Sequence, residues 1–365
     1  MRVLIAPQEF KGSLSAEEAA TAIRRGLRRA RPDWTFDFLP LSDGGPGFLD
    51  ALRKAVKSDT SASVVHDALG RPVLGRWVVI RESGDVFIEA AQANGLYHLR
   101  TDELDPLYAD TAGVGELIAE AALGVPARII VGVGGSATTD GGSGMARALG
   151  AVFLDEAGNA LPPGGAPLAR LARIDWRPPD WVGQIEIVVA CDVTSPLTGP
   201  AGTATVYSPQ KGATVGQVEL LEAAMLRYAA VLKRSLGVDI ASLPGGGAAG
   251  GLGAGLVAFL GARIASGFEI VSEVTHLRER MERCALVVTG EGSFDSQSTL
   301  GKVSGKVSEM ANALGKSCML FAGRSDQADP RIRTLLADEP DLARSMQRAD
   351  ALLSAVAARW ASEQA

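Results

Sequence analysis

Short, largely apolar runs at 3–6, 36–41, 129–133, 185–190, 285–289 and 319–322, several of them β-branched, each give way to glycine, proline or small polar residues. Runs that short, apolar without alternation, predict strands buried on both faces. Helical stretches separate them. The stretch 16–30 has Ser15 as N-cap and Glu18 three residues later, with Ala19, Ala20, Ile23 and Leu27 as its apolar stripe. Others are 111–123, 216–236, 302–314 and 331–360, the last broken near Pro340. Strands alternating with helices predict an α/β protein. The segment 73–89 differs, because its β-rich runs are punctuated by Gly84 without a helix, which predicts a mixed or antiparallel sheet.

The first two and last two strands share one style, while the middle holds the mixed sheet and most glycine-rich loops. This predicts two α/β domains. One is a Rossmann-like parallel-sheet domain built from both chain ends, 1–65 and 280–365, and the other is an inserted middle domain, 66–279, with a mixed sheet. A chain of 365 residues, 47% of them hydrophobic, is large enough to bury both cores.

Charge narrows the partners. A net charge of -6 gives no positive field for nucleic acid. The most apolar stretch, 245–265, is broken by eight glycines and Arg263, so no membrane partner is expected. The first ten residues are too short a hydrophobic run for a signal peptide. Cys191, Cys284 and Cys318 lie far apart with no CxxC, which fits neither a disulfide framework nor a zinc site and points to the reducing cytoplasm. Small molecules are the expected partners, with a second copy of the chain as a candidate homodimer partner.

In parallel α/β sheets, ligands bind beyond the carboxyl ends of strands, where loops lead into helix N-termini. Those positions here carry Lys11 and Ser13 after the first run, Asp43, Gly44 and Gly45 after the second, and Gly290, Glu291 and Asp295 after the fifth. The middle region adds Gly134, Gly135 and Ser136, then Asp192 and Thr194, then the glycines of 245–251. Glycines let backbone N–H groups approach an anion, and hydroxyls add donors. Phosphoryl transfer needs carboxylates for magnesium and for the attacking hydroxyl, and cations for the phosphates. Lys11, Asp43 and Asp192 are the candidates for catalysis. Ser13, Gly44, Gly45, Gly134, Gly135, Ser136, Thr194, Gly290 and Lys302 are candidates for substrate or phosphate binding, and Asp192, Glu291 and Asp295 for the metal. Each has a plainer reading: glycine loops as tight turns, Asp140 or Asp295 as helix caps, Lys11 and Lys302 as solvated charges. No Walker loop exists, since Gly301-Lys302 precedes Val303 and Ser296 stands where the first glycine belongs.

A rival reading is an NAD-binding dehydrogenase. Gly132-x-Gly134-x-x-Ala137 follows a strand-like run, and Asp155 stands where a ribose-binding acid would. Against it, Gly141, Gly142 and Gly144 would fall in the following helix, at about 1 kcal/mol each.

Several blocks resemble the bacterial glycerate kinase family: Phe10-Lys-Gly-Ser-Leu-Ser, Ser42-Asp-Gly-Gly, Gly113-Val-Gly-Glu-Leu-Ile, Gly132-Val-Gly-Gly-Ser-Ala-Thr, Asp140-Gly-Gly-Ser-Gly-Met, Ala190-Cys-Asp-Val, Pro196-Leu-Thr-Gly-Pro, Pro209-Gln-Lys-Gly-Ala-Thr, Gly247-Ala-Ala-Gly-Gly-Leu-Gly and Val288-Thr-Gly-Glu-Gly. They run in family order from residue 1 to about 310. The resemblance implies ATP-dependent phosphorylation of D-glycerate with magnesium (Mg2+), at the 2-hydroxyl, the residues themselves leaving the 3-hydroxyl open. It also implies two α/β domains, one drawing on both chain ends. This chain departs from the family pattern inside the motifs. The family reads Asp-Ser where Gln8-Glu9 stands, Glu at Pro46, Asn at Thr139, and Gly-Glu-Gly-Arg-Ile-Asp-Gly-Gln where this chain has Gly290-Glu-Gly-Ser-Phe-Asp-Ser-Gln297. Glu9, one position along, is the candidate to replace the missing aspartate. The departures leave a second rival, a binding or regulatory protein that keeps the kinase fold without its activity.

Overall fold

The computed structural model describes residues 1–294 and 303–364. The chain divides into two compact units. A terminal unit takes Met1–Asp43, Asp50–Val56 and Phe268–Ala365, and a central unit takes Gly44–Leu49 and Lys57–Gly267.

The terminal unit is built on a parallel sheet whose described strands run in the order Thr35–Phe38, Arg2–Ile5, Leu286–Phe294, Ser317–Ser325, Ile332–Thr334. Every neighbouring pair is parallel. The helices Ala16–Ala30 and Ala349–Ser362 pack together on one face. Ala19, Ile23 and Leu27 meet Leu353, Val356 and Trp360 over Val3, Ile5 and Phe321. Trp360 stands edge-on to both Trp34 and Phe321, a geometry the ring quadrupoles favour. The first helix starts where the sequence places it. Ser15 Oγ accepts from the N–H of Glu18 at 3.2 Å, and the Glu18 carboxylate accepts from the N–H of Ser15 at 2.8 Å. That reciprocal pair satisfies N–H groups the first turn cannot.

The stretch 331–360 is not one helix. It holds the strand Ile332–Thr334, a short turn of 3-10 helix, and two helices, Leu342–Gln347 and Ala349–Ser362. Pro330 and Pro340 bracket too few residues for a stable helix, and each proline disfavours helical backbone just before it. Pairing with the strand Ser317–Ser325 therefore takes the segment.

In the central unit the described strands run Arg263–Ala265, Glu186–Ala190, Arg128–Gly132, Val86–Glu89, Pro72–Ile80, Ser58–His66. The first four are mutually parallel and the last two are added antiparallel, so the sheet is mixed, as 73–89 implied. The edge strand Ser58–His66 has no sequence expectation behind it. Its Ser-Asp-Thr-Ser-Ala-Ser start carries no apolar run, because an exposed edge strand needs none. Phe153, Phe259, Trp176 and Tyr228 form an aromatic centre to the core, between the sheet and the helices Val215–Leu236 and Ala248–Leu260. Among the described residues no helix is long and apolar enough to cross a membrane.

Candidate active site

Three adjacent strands of the terminal unit deliver polar residues at their carboxyl ends. After Arg2–Ile5 the chain runs through Gln8, Glu9 and Phe10 into a tight turn. The turn is closed by Phe10 N–H to Leu14 O at 2.8 Å and by Ser13 Oγ–H to Phe10 O at 2.9 Å. Lys11 sits exposed on that turn. After Thr35–Phe38 comes Asp43, whose Oδ2 accepts from Gln8 Nε2 at 3.0 Å. The strand Leu286–Phe294 runs on through Gly290, whose carbonyl accepts from Gln8 N–H at 2.9 Å, to the buried Glu291. Burial pushes the Glu9 carboxyl up, the Asp43 charge adds to that, and Lys11 pulls the other way. Two carboxylates close enough to feel each other, beside an uncovered lysine, can take a proton from a hydroxyl and neutralise a phosphate.

The glycines of the central unit serve a different purpose from the one their sequence suggests. Gly134 N–H donates to Gly44 O at 3.2 Å, and a Cβ on Gly134 would lie 2.4 Å from Gly45 Cα. A Cβ on Gly44 would lie 2.6 Å from Ala190 O. Gly44, Gly45 and Gly134 therefore let one backbone pass against another, and the Gly134 N–H is already engaged. Gly141 N–H likewise donates to Gly250 O at 2.9 Å, so two of the glycine loops pack on each other. Gly135 O accepts from Leu96 N–H, and Ser136 is buried. Asp192 is half-buried with Oδ1 accepting from Ser266 Oγ at 2.6 Å, and Thr194 is exposed two residues on.

The dehydrogenase reading fails on the same loop. A dinucleotide fingerprint needs a helix opening at its glycines. Here 133–142 is loop, Gly141 and Gly142 have left-handed backbone, and the next helix, Ser143–Ala148, is short. Asp155, the would-be ribose ligand, spends its carboxylate on the N–H groups of Ala157 and Asn159 in its own turn.

Beneath the loop lies a buried polar network. Asp140, fully buried, accepts from Thr111 N–H, Thr111 Oγ1, Gly142 N–H and Gly144 N–H at 2.8–3.1 Å. The capping reading of Asp140 is the one realised. Lys211, 2% exposed, donates to Ser136 Oγ at 3.1 Å and Thr138 O at 2.5 Å. Burial pulls its amine down to about 7 against the attraction of Asp140. Burial and the Asp140 charge push the Asp110 carboxyl up to about 6. Tyr228 closes the network with its hydroxyl donated to Gly141 O at 3.1 Å.

Lys211 has no role in the sequence reading, although Pro209-Gln-Lys-Gly-Ala-Thr was among the recognised blocks. Its burial was the missing signal. Asp295 and Lys302 lie outside the described residues. Of the other two expected metal ligands, Glu291 belongs to the terminal unit and Asp192 to the central one. Among the described residues no group of three His, Cys, Asp or Glu gathers as a metal site. Magnesium usually takes one or two carboxylates and completes its shell with substrate phosphates and water. Within the terminal unit, Glu9, Asp43 and Glu291 offer hard oxygens of the kind such an ion takes.

Comparison with known proteins gives one consistent answer. The model of the glycerate kinase family matches residues 3–363. Glycerate 2-kinase of Escherichia coli K12 is 42% identical over 324 residues, covering 88% of this chain and 85% of that protein. Glycerate kinase of Bacillus subtilis 168 is 40% identical over 324 residues, covering 88% and 85%. The crystal structure of a Salmonella typhimurium LT2 protein assigned as a glycerate kinase 2 superposes with a TM-score of 0.79 at 40% identity, covering 99% of this chain and 97% of that one.

Proposed function

Because the chain belongs to the glycerate kinase family, a family of phosphotransferases, we propose that it moves the γ-phosphoryl group of ATP to the 2-hydroxyl of D-glycerate, forming 2-phosphoglycerate and ADP in organic-acid catabolism. The observation that carries this reading is the cluster of Gln8, Glu9, Lys11 and Asp43 at neighbouring strand ends. Asp43, oriented by the Gln8 amide, accepts the proton of the attacking hydroxyl as the new P–O bond forms and the bond to the ADP oxygen breaks. Lys11 neutralises charge on the transferring group. Magnesium, when bound with the nucleotide, supplies charge neutralisation between its phosphates. Glu291, buried at the end of its strand, keeps the part of a metal-facing carboxylate in this reading. The 2-hydroxyl rests on similarity to the E. coli glycerate 2-kinase. An ATP-consuming reaction fits the cytoplasm, as do three buried cysteines that form no disulfide among the described residues.

The test is an ADP-release assay with D-glycerate, ATP and magnesium, with the product identified by phosphorus NMR. Lys11→Ala and Asp43→Asn should each lower kcat by roughly 100-fold or more, the scale of a lost charge stabiliser or base. A wild-type enzyme that releases no ADP with any hydroxy acid refutes the proposal. A 3-phospho product refutes the assigned hydroxyl alone.

A further inference from the structure

The terminal unit contains a cavity of about 200 Å³ whose lining is of two chemical kinds. Part of it is cationic and polar: Lys11 and Arg324, with the hydroxyls of Ser13 and Ser293. Both cations are exposed, and neither lies within ion-pair distance of a carboxylate among the described residues. The Arg324 Nε donates to Ser293 Oγ at 3.0 Å, and its two terminal nitrogens have no partner among the described residues. Another part is apolar, made by Leu335, Leu342 and Met346. Leu342 and Met346 are 49% and 37% exposed, large apolar side chains four residues apart on one helix face.

A three-carbon hydroxy acid has no apolar surface to set against that wall and would leave it wet. A nucleotide has both halves: a flat ring system for the apolar part and phosphates for the two cations. The volume is smaller than the roughly 300–1,000 Å³ of sites that enclose a whole drug-sized ligand, so the ring enters and the phosphates lie at the mouth.

The position of Arg324 explains a departure in the sequence. The related motif has arginine where this chain has Ser293. Strands Leu286–Phe294 and Ser317–Ser325 are parallel neighbours, and their register sets Ser293 directly across from Arg324. A guanidinium lost from one strand is supplied by the next, at the same level of the sheet.

We propose that this cavity is the purine-nucleotide site, with the ring against Leu335, Leu342 and Met346 and the phosphates held by Lys11 and by Arg324 in place of the arginine at 293. The inference rests on the kinase reading for the identity of the ligand. It is tested by isothermal titration of the full chain with ADP and, separately, with adenosine. Arg324→Ala should weaken ADP by about 10- to 100-fold, the worth of charge-assisted hydrogen bonds, and adenosine by less than about threefold. Leu342→Gln, on the exposed wall, should weaken both ligands by about fivefold. The double variant Ser293→Arg/Arg324→Ser should recover ADP affinity, while the single Arg324→Ser does not. In turnover assays Arg324→Ala should raise KM for ATP and leave KM for D-glycerate within about twofold. Unchanged ADP affinity in Arg324→Ala, or a rise in KM for D-glycerate instead, overturns the assignment. Failure of the double variant to recover affinity overturns the replacement of position 293 by 324. Absence of wild-type turnover would remove the kinase reading, and the ADP and adenosine titrations would still decide this site.

Discussion

Lys211 should make the stability of the central unit rise with pH through a range where most proteins are flat. Its amine is enclosed and pulled from 10.5 down to about 7. Between those values the unfolded chain binds a proton that the folded chain does not, so stability rises by about 1.4 kcal/mol per pH unit for this group. Below about pH 7 both states are protonated, and the folded state carries the full cost of a buried ammonium. From pH 7 to pH 9.5 the gain is about 3 kcal/mol. Lys211→Met keeps the length of the side chain and removes the titration. It also strips a donor from Ser136 Oγ and Thr138 O, at about 1–3 kcal/mol, but that loss is the same at both pH values. The difference of differences therefore isolates the amine. Urea unfolding, followed by the fluorescence of Trp176 against the aromatic core, should show a wild-type advantage over Lys211→Met larger by about 3 kcal/mol at pH 9.5 than at pH 6.5. A change below about 1 kcal/mol would refute the reasoning. It would mean that attraction to Asp140 outweighs burial and keeps the amine charged at neutral pH.

Asp110 should show the opposite slope. Its carboxyl is raised from 3.8 to about 6, so the folded state holds a proton that the unfolded state has lost, and stability falls as pH climbs through that window. Asp110→Asn, which keeps an acceptor for Ala112 N–H, should raise the free energy of unfolding in urea at pH 7.5 by up to about 3 kcal/mol, with little of the gain left at pH 4. Equal shifts at both pH values would count against it. Gly134→Ala should destabilise by about 1–3 kcal/mol in urea titration, because its Cβ would press on the Gly45 backbone rather than on a flexible side chain. Ser15→Ala should cost about 1 kcal/mol, read from the urea midpoint of the terminal unit, through loss of the acceptor for Glu18 N–H.

The parallel sheet was legible because strands buried on both faces must be written as unbroken apolar runs, and 3–6 and 285–289 are such runs. The helix 16–30 was legible to its first residue because a capping box is a local device, complete within four positions. What could not be read depended on partners distant in sequence. Ile332–Thr334 looks helical in isolation and becomes a strand because an open edge lies beside it. Lys211 looks like a solvated lysine, and only the approach of Ser136 and Thr138, more than seventy residues away, shows it to be buried. The glycine loops misled in a more specific way. Glycine is required both where an anion approaches a backbone and where another backbone does, and composition does not separate the two. At Gly44 and Gly134 the second reason applies.

The same dependence on distant partners bears on whether the departures from the family pattern mark a lost activity. Two of them have a like charge close at hand, in Glu9 and in Arg324. Where the family has an aspartate at position 8, this chain has a glutamine that donates to Asp43, and the acid reappears as Glu9 one residue on. Burial, with the Asp43 charge adding to it, raises the Glu9 carboxyl. Where the family has arginine at 293, the guanidinium stands across the strand at 324. A chain drifting free of its catalytic role would lose charges one at a time, with no reason for each to be replaced within reach of the vacated place. Thr139 is the counterexample that bounds the argument. It is buried, and its hydroxyl has no hydrogen-bond partner among the described residues, so the asparagine usual there has no replacement. That loss falls beside Asp140, in the network that shapes the loop. The compensated positions, by contrast, lie at the carboxyl ends of the terminal sheet, where the proposed reaction needs its charges.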